Sequence, residues 1–108
     1  MAIAEITVEE LAERLDQGIR LIDVREVDEY ADGHVPGAEL IVLGAVPDNV
    51  DRFRGDGPTY LICRSGGRSM RACQFLHGEG IDTVNVAGGT MAWTASGRPV
   101  VTGGDSPS

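Results

Sequence analysis

The chain has no lysine: all nine basic residues are arginine. Schiff-base chemistry and a phosphate-binding loop built on lysine are therefore excluded. Seventeen acidic residues leave a formal net charge of -8. That balance argues against nucleic acid and against anionic membrane surfaces as partners. No apolar run approaches the roughly 20 residues of a membrane span. The first residues lack a basic region followed by a long apolar stretch, so no secretory leader is expected. The only two cysteines stand ten positions apart, without the histidine spacing of a zinc site. No metal and no cofactor are expected, and a reducing, cytoplasmic setting is the default.

What remains is an ordinary globular composition, 42% hydrophobic and 24% charged over 108 residues, enough for one domain with its own core. Thr7-Val8-Glu9-Glu10 reads as a capping box. Val8, Leu11, Ala12 and Leu15 then share one helical face, and Gly18 ends that helix. Ile19 to Val24 reads as a strand covered on both faces, with Asp23 and Arg25 at its C-terminal end. A short helix over Glu26 to Tyr30 opens an acid-rich, solvated segment. Glu39 to Leu43 is the next strand, and Pro47 to Phe53 a short helix. Tyr60 to Ile62 is a third apolar run, followed by a helix beginning near Ser69. Thr83 to Val86 is a strand, and a last helix carries Met91 and Trp93. Strands alternating with helices predict an α/β fold, a parallel sheet with helices on both faces. The domain is expected over residues 1–100, with 101–108 as a polar C-terminal tail.

In such sheets ligands bind beyond the C-terminal strand ends, and Cys63 stands at one. The stretch Cys63-Arg64-Ser65-Gly66-Gly67-Arg68-Ser69 runs from a strand through a glycine-rich loop into a helix. That geometry gathers backbone N–H groups and a helix N-terminus around the thiol. Both favour an anion, so Cys63 is expected to be thiolate-rich near neutral pH. Arg64 and Arg68 add positive charge. Arg64 reads as a solvent-facing guanidinium that attracts an anion, whereas Arg68 suits either the ligand or an acid beneath the site. Asp23 and Arg25 read as structural support, and His34 as a hydrogen-bonded turn residue. Cys73 falls on the core face of its helix and reads as a small hydrophobe. Met91 and Trp93 read as packing in the core or at the rim of the site.

Four segments in order carry a family resemblance: Leu21-Ile22-Asp23-Val24-Arg25, Gly33-His34-Val35-Pro36-Gly37-Ala38, the Cys63 to Ser69 loop, and Gly88-Gly89 before Trp93. From about Ile6 to Pro99 the chain resembles a single-domain rhodanese. The resemblance implies a rhodanese-like three-layer α/β/α fold around a mainly parallel five-stranded sheet, with a short first strand near Glu5 to Thr7. It implies sulfur transfer, with Cys63 taking a sulfane sulfur from thiosulfate or a similar anionic donor as a persulfide. The sulfur passes to a thiophilic acceptor such as cyanide, a dithiol or a protein thiol. Arg64, Ser65, Gly66, Gly67, Arg68 and Ser69 would bind the substrate. The alternatives are a persulfide-carrying module loaded by another protein, a cysteine phosphatase or arsenate reductase, and an inactive regulatory domain. The phosphatases usually place arginine six positions after the cysteine. Here Arg68 is the fifth and Ser69 the sixth.

Overall fold

The computed structural model describes residues 3–103. Five strands form one sheet in the order β1-β5-β4-β2-β3, with every strand pair parallel. The strands are β1 (Ala4–Ile6), β2 (Leu21–Asp23), β3 (Glu39–Leu40), β4 (Thr59–Ile62) and β5 (Thr83–Val86). The helices are α1 (Val8–Asp16), α2 (Val27–Asp32), α3 (Gly67–Gly78) and α4 (Gly89–Ala95), with a 3-10 segment over Leu43–Phe53. The three-layer α/β fold implied by the resemblance is the one observed. Among the described residues no helix is long and apolar enough to cross a membrane.

The sheet separates two cores, and strand alternation decides which residue enters which. Tyr60, Ile62, Val84 and Val86 point to one side, with Leu11 of α1, Tyr30 of α2 and Trp93 of α4. Leu61 and Cys63 point to the other, with Ala72, Cys73 and Leu76 of α3 and Phe53 of the 3-10 segment. Every residue of β2, β4 and β5 is buried, as expected of strands sandwiched between helices. α1 opens on the anticipated capping box: Glu10 N–H donates to Thr7 Oγ1 (3.2 Å), and Thr7 N–H donates to the Glu10 carboxylate (3.0 Å).

Several boundaries differ from the sequence expectation. Thr7 caps α1 and so cannot extend β1, which ends at Ile6. β2 and β3 are shorter than expected. β3 is an edge strand, and the chain turns into the 3-10 segment as Ala45 N–H bonds Val42 O (2.8 Å). The helix expected over Pro47 to Phe53 begins earlier and is 3-10 rather than α. It contains Pro47, which has no N–H to donate to the preceding turn, and it is broken at Asn49 (φ -128°, ψ 27°). Helix α3 starts at Gly67, two residues before the expected Ser69. Residues 101 and 103 of the expected tail bond to the rest of the fold. Val101 and His34 exchange backbone hydrogen bonds of 2.8 and 2.9 Å, and Gly103 N–H donates to Ala31 O (2.9 Å). The rest of the expected tail, 104–108, lies outside the described residues.

Two ion pairs tie together the loops at the C-terminal ends of the strands. Arg25 and Asp23 are both buried and share three side-chain contacts of 2.8 to 3.0 Å. Arg25 also donates to Gly33 O at the end of α2 (2.9 Å). Glu29 of α2 grips Arg68 of α3 through two bonds of 2.7 and 2.8 Å. The segment from Glu26 to Asp32 is thus not simply a solvated face.

Removing one partner of a buried pair strands the other charge. Asp23→Ala is therefore expected to lower unfolding stability by about 3 to 5 kcal/mol in a urea titration. A change within about 0.5 kcal/mol, the range of ordinary surface substitutions, would show that the pair does not brace the fold.

The Arg68 bond holds the Glu29 carboxyl at about 2, below its ordinary 4.5. A carboxyl depressed in the folded state adds stability that is complete above 4.5 and is lost as pH falls toward 2. Because the pair is partly exposed, we expect about 1 to 2 kcal/mol from it. The stability gap between wild type and Glu29→Gln should be present at neutral pH and close through that window. A gap that does not change with pH would contradict this linkage.

Candidate functional site

Cys63 follows the last residue of β4, and its Sγ lies at the inner end of the loop that leads into α3. Only 1% of the residue is exposed. Gly66 N–H points at Sγ (3.1 Å), and Ser69 Oγ lies 3.4 Å from it. Burial alone would push the thiol up. The Ser69 hydroxyl and the backbone N–H groups of Ser69, Gly66 and Ser65 outweigh it and hold Cys63 below its ordinary value.

The N–H groups can face inward because the carbonyls are held elsewhere. The carbonyl of Cys63 accepts from Thr90 N–H (2.9 Å) and Thr90 Oγ1 (3.1 Å), and the carbonyl of Arg64 accepts from Met91 N–H (2.9 Å). The carbonyl of Gly66 accepts from Met70 N–H (3.1 Å) and Asn85 Nδ2 (3.2 Å). This contact between loop and α4 explains the glycine at position 89. A Cβ on Gly89 would lie 2.5 Å from both the Cys63 and the Arg64 oxygens, and its φ of +59° already disfavours a side chain. Gly66 caps α3 at φ +107°, where only glycine is comfortable.

The structure distributes the expected site residues unevenly. Cys63, Gly66 and Ser69 converge at the sulfur. Ser65 contributes its N–H from an exposed position. Gly67 is the first residue of α3, and no Cβ built on it would meet a neighbour. Arg64 is exposed, and its guanidinium makes no hydrogen bond or ion pair among the described residues. Arg68, expected among the substrate-binding residues, has its guanidinium committed to Glu29, whose bonds raise it above its ordinary value. Asp23 and Arg25 pair with each other, and Arg25 also lines the cleft that Arg64 borders. His34, expected in a turn, is buried in an isolated bridge to Val101: Nδ1 lies 2.8 Å from Tyr30 O, and its ring stacks on Tyr30 at 3.6 Å. Cys73 is fully buried, and burial pushes its thiol up to about 11. Trp93 is core, whereas Met91 is 54% exposed on the rim of a cleft of about 610 Å³. Arg64 and Thr90 also line that cleft.

Four residues at the site escape sequence reasoning: Glu29, Thr90, Asn85 and Glu5. Asn85 is fully buried. It accepts from Ser69 Oγ (2.5 Å) and donates to the Glu5 carboxylate (2.8 Å). A lone amide inside the otherwise apolar end of β5 was the available signal.

The profile of the Rhodanese-like domain family matches residues 7–96. The chain is 43% identical over 101 residues to YtwF of Bacillus subtilis, covering 92% of this chain and 98% of that one. It is 34% identical over 102 residues to a sulfurtransferase of Allochromatium vinosum, covering 92% and 95%. It is 32% identical over 84 residues to the thiosulfate sulfurtransferase GlpE of Pseudomonas putida, covering 77% and 76%. A rhodanese-like domain protein of Staphylococcus aureus superposes with a TM-score of 0.84 at 35% identity, covering 94% and 99%. With a cysteine at the strand end, a glycine-capped loop around it and a parallel five-stranded sheet beneath, the chain belongs to the rhodanese-like domain family.

Proposed function

We propose that this protein is a sulfurtransferase that carries sulfane sulfur on Cys63, with thiosulfate or a similar anionic compound as donor. The observation that carries this reading is the Cys63 sulfur held low in its titration by inward N–H groups, with no general base required. Relatives named sulfurtransferase and thiosulfate sulfurtransferase support it.

The Cys63 thiolate attacks the outer sulfur of thiosulfate. The Sγ–S bond forms, the S–S bond of the donor breaks, and sulfite leaves with the electron pair. An acceptor thiolate then attacks the outer sulfur of the persulfide. The Sγ–S bond breaks, the acceptor keeps the sulfur, and Cys63 departs as a thiolate. No oxidant or reductant is consumed beyond these partners. The loop N–H groups stabilise the anionic sulfur at each stage. With Cys63 so little exposed, a slim donor presenting one terminal sulfur fits better than a tetrahedral phosphoryl group. A phosphatase also needs its loop arginine on the transferring oxygens, whereas Arg68 is held by Glu29. Arg64, whose guanidinium has no partner among the described residues, recruits the donor against a net acidic background. On this reading the acceptor approaches through the cleft that Arg64, Thr90 and Met91 line.

Intact mass after thiosulfate should rise by one sulfur in wild type and Cys73→Ser, and a dithiol should remove it. Cys63→Ser should gain nothing. A sulfur that survives Cys63→Ser, or a wild type that gains none, would exclude the reading.

Arg64→Ala should raise the KM for thiosulfate about threefold to tenfold, with a smaller change in kcat. The defect should shrink as salt screens the charge. An unchanged KM at low ionic strength would remove Arg64 from donor binding.

A further inference from the structure

The Ser69 hydroxyl has one hydrogen and three acceptors around it: Asn85 Oδ1 at 2.5 Å, Gly66 O at 3.3 Å and Cys63 Sγ at 3.4 Å. The Asn85 amide cannot turn over without loss. Its Nδ2 donates to the Glu5 carboxylate at 2.8 Å and to Gly66 O at 3.2 Å, and both of those groups only accept. Its Oδ1 must therefore face Ser69, and Oδ1 has no hydrogen to offer. At 2.5 Å the Ser69 hydrogen lies between the two oxygens, and Ser69 presents lone pairs toward Sγ. That arrangement suits a thiol, which can donate to Ser69, or a persulfide, whose Sγ carries no charge. It does not suit a thiolate, which needs the hydrogen itself.

We propose that Asn85 is a positioning residue that holds the Ser69 hydrogen while Cys63 is a thiol or persulfide and yields it to Sγ when Cys63 becomes a thiolate. Asn85 is buried beside β4 and β1, in register with Leu61 and Glu5, so it is fixed by the sheet itself. Glu5, on the exposed edge strand, sets the orientation of the amide from outside. Asn85 and Ser69 thus act on the thiolate in opposite directions. Ser69 supplies a hydrogen bond, and Asn85 competes for it. In the sulfur cycle, which rests on the sulfurtransferase reading, the hydrogen swings to Sγ as the acceptor removes the outer sulfur and swings back on reloading.

Other charged groups near the site are already engaged or stand apart. Asp23 of β2 is paired with Arg25, and Glu29 of α2 with Arg68 of α3. Cys73 of α3 is buried and pushed toward its neutral form. Arg64 is exposed at the mouth, α4 has no titratable side chain, and in the 3-10 segment Asp51 and Arg52 pair with Arg54 and Glu39 while Asp48 is exposed.

The test is the pH dependence of Cys63 alkylation by iodoacetamide in the full-length protein, read by mass spectrometry, which needs no sulfur donor. Asn85→Leu should lower the midpoint by about half a pH unit, roughly a threefold gain in thiolate at a fixed pH below it. Ser69→Ala should raise the midpoint, and the double variant should match Ser69→Ala. An unmoved or raised midpoint in Asn85→Leu overturns the proposal, as does the same fall in the Ser69→Ala background. Should Asn85→Leu not fold, Glu5→Ala on the exposed strand frees the amide to turn and decides in the same way. Its midpoint should fall only when Ser69 is present, and a fall that persists without Ser69 is a through-space charge effect that overturns the proposal. Persulfide formation measured on the same samples separates the two readings. The expected shifts without persulfide would overturn the sulfurtransferase reading alone, and persulfide without the shifts would overturn the role of Asn85 alone.

Discussion

The bonds from the start of α4 to the Cys63 and Arg64 carbonyls are the constraint on which the site depends. A peptide unit that turns its oxygen out turns the next N–H in. With those oxygens anchored on Thr90 and Met91, and the Gly66 oxygen on Met70 and Asn85, the loop has no cheap alternative conformation. The N–H groups aimed at Sγ are thus pre-arranged, and no reorganisation is needed when charge develops on sulfur. The contact is possible only because β4 and β5 are neighbours, which places the two strand-end turns side by side. It also requires position 89 to lack a side chain.

The charged residues around this loop are mostly engaged with one another. Asp23 neutralises Arg25, and Glu29 neutralises Arg68. The first pair, with the Arg25 bond to Gly33 O, folds the segment after β2 onto itself, and the second joins that segment to the one that leaves β4. Their work is to keep the loops in register, and they leave the sulfur to be stabilised by dipoles. Arg64 alone projects a free charge at the mouth among the described residues. This division explains how a chain of net charge -8 can still favour an anion at one point.

Much of the fold was legible because it is written in local pattern. The capping box at Thr7, the run Tyr60 to Ile62, and the break at Cys63 each follow from side-chain period or backbone freedom within a few residues. Where local pattern met a competing demand, boundaries moved. Thr7 went to the helix rather than to β1, and the edge strand β3 stopped after two residues. The helix around Pro47 became a broken 3-10 segment.

The candidate site divides along the same line. From the sequence alone one can place a cysteine at a strand end, ahead of a glycine-rich loop and a helix, and derive its preference for the thiolate, since those features are contiguous. The partners could not be derived, because they come from far along the chain. Glu29 is 39 positions from Arg68, Thr90 is 27 from Cys63, Asn85 is 16 from Ser69, and Glu5 is 80 from Asn85. Nothing in their local sequence distinguishes an acid on a helix surface from one closing a guanidinium fork. The parallel sheet decides it: by setting β5 between β1 and β4, it lines up the Glu5 carboxylate, the Asn85 amide and the Ser69 hydroxyl in a chain that ends at one sulfur.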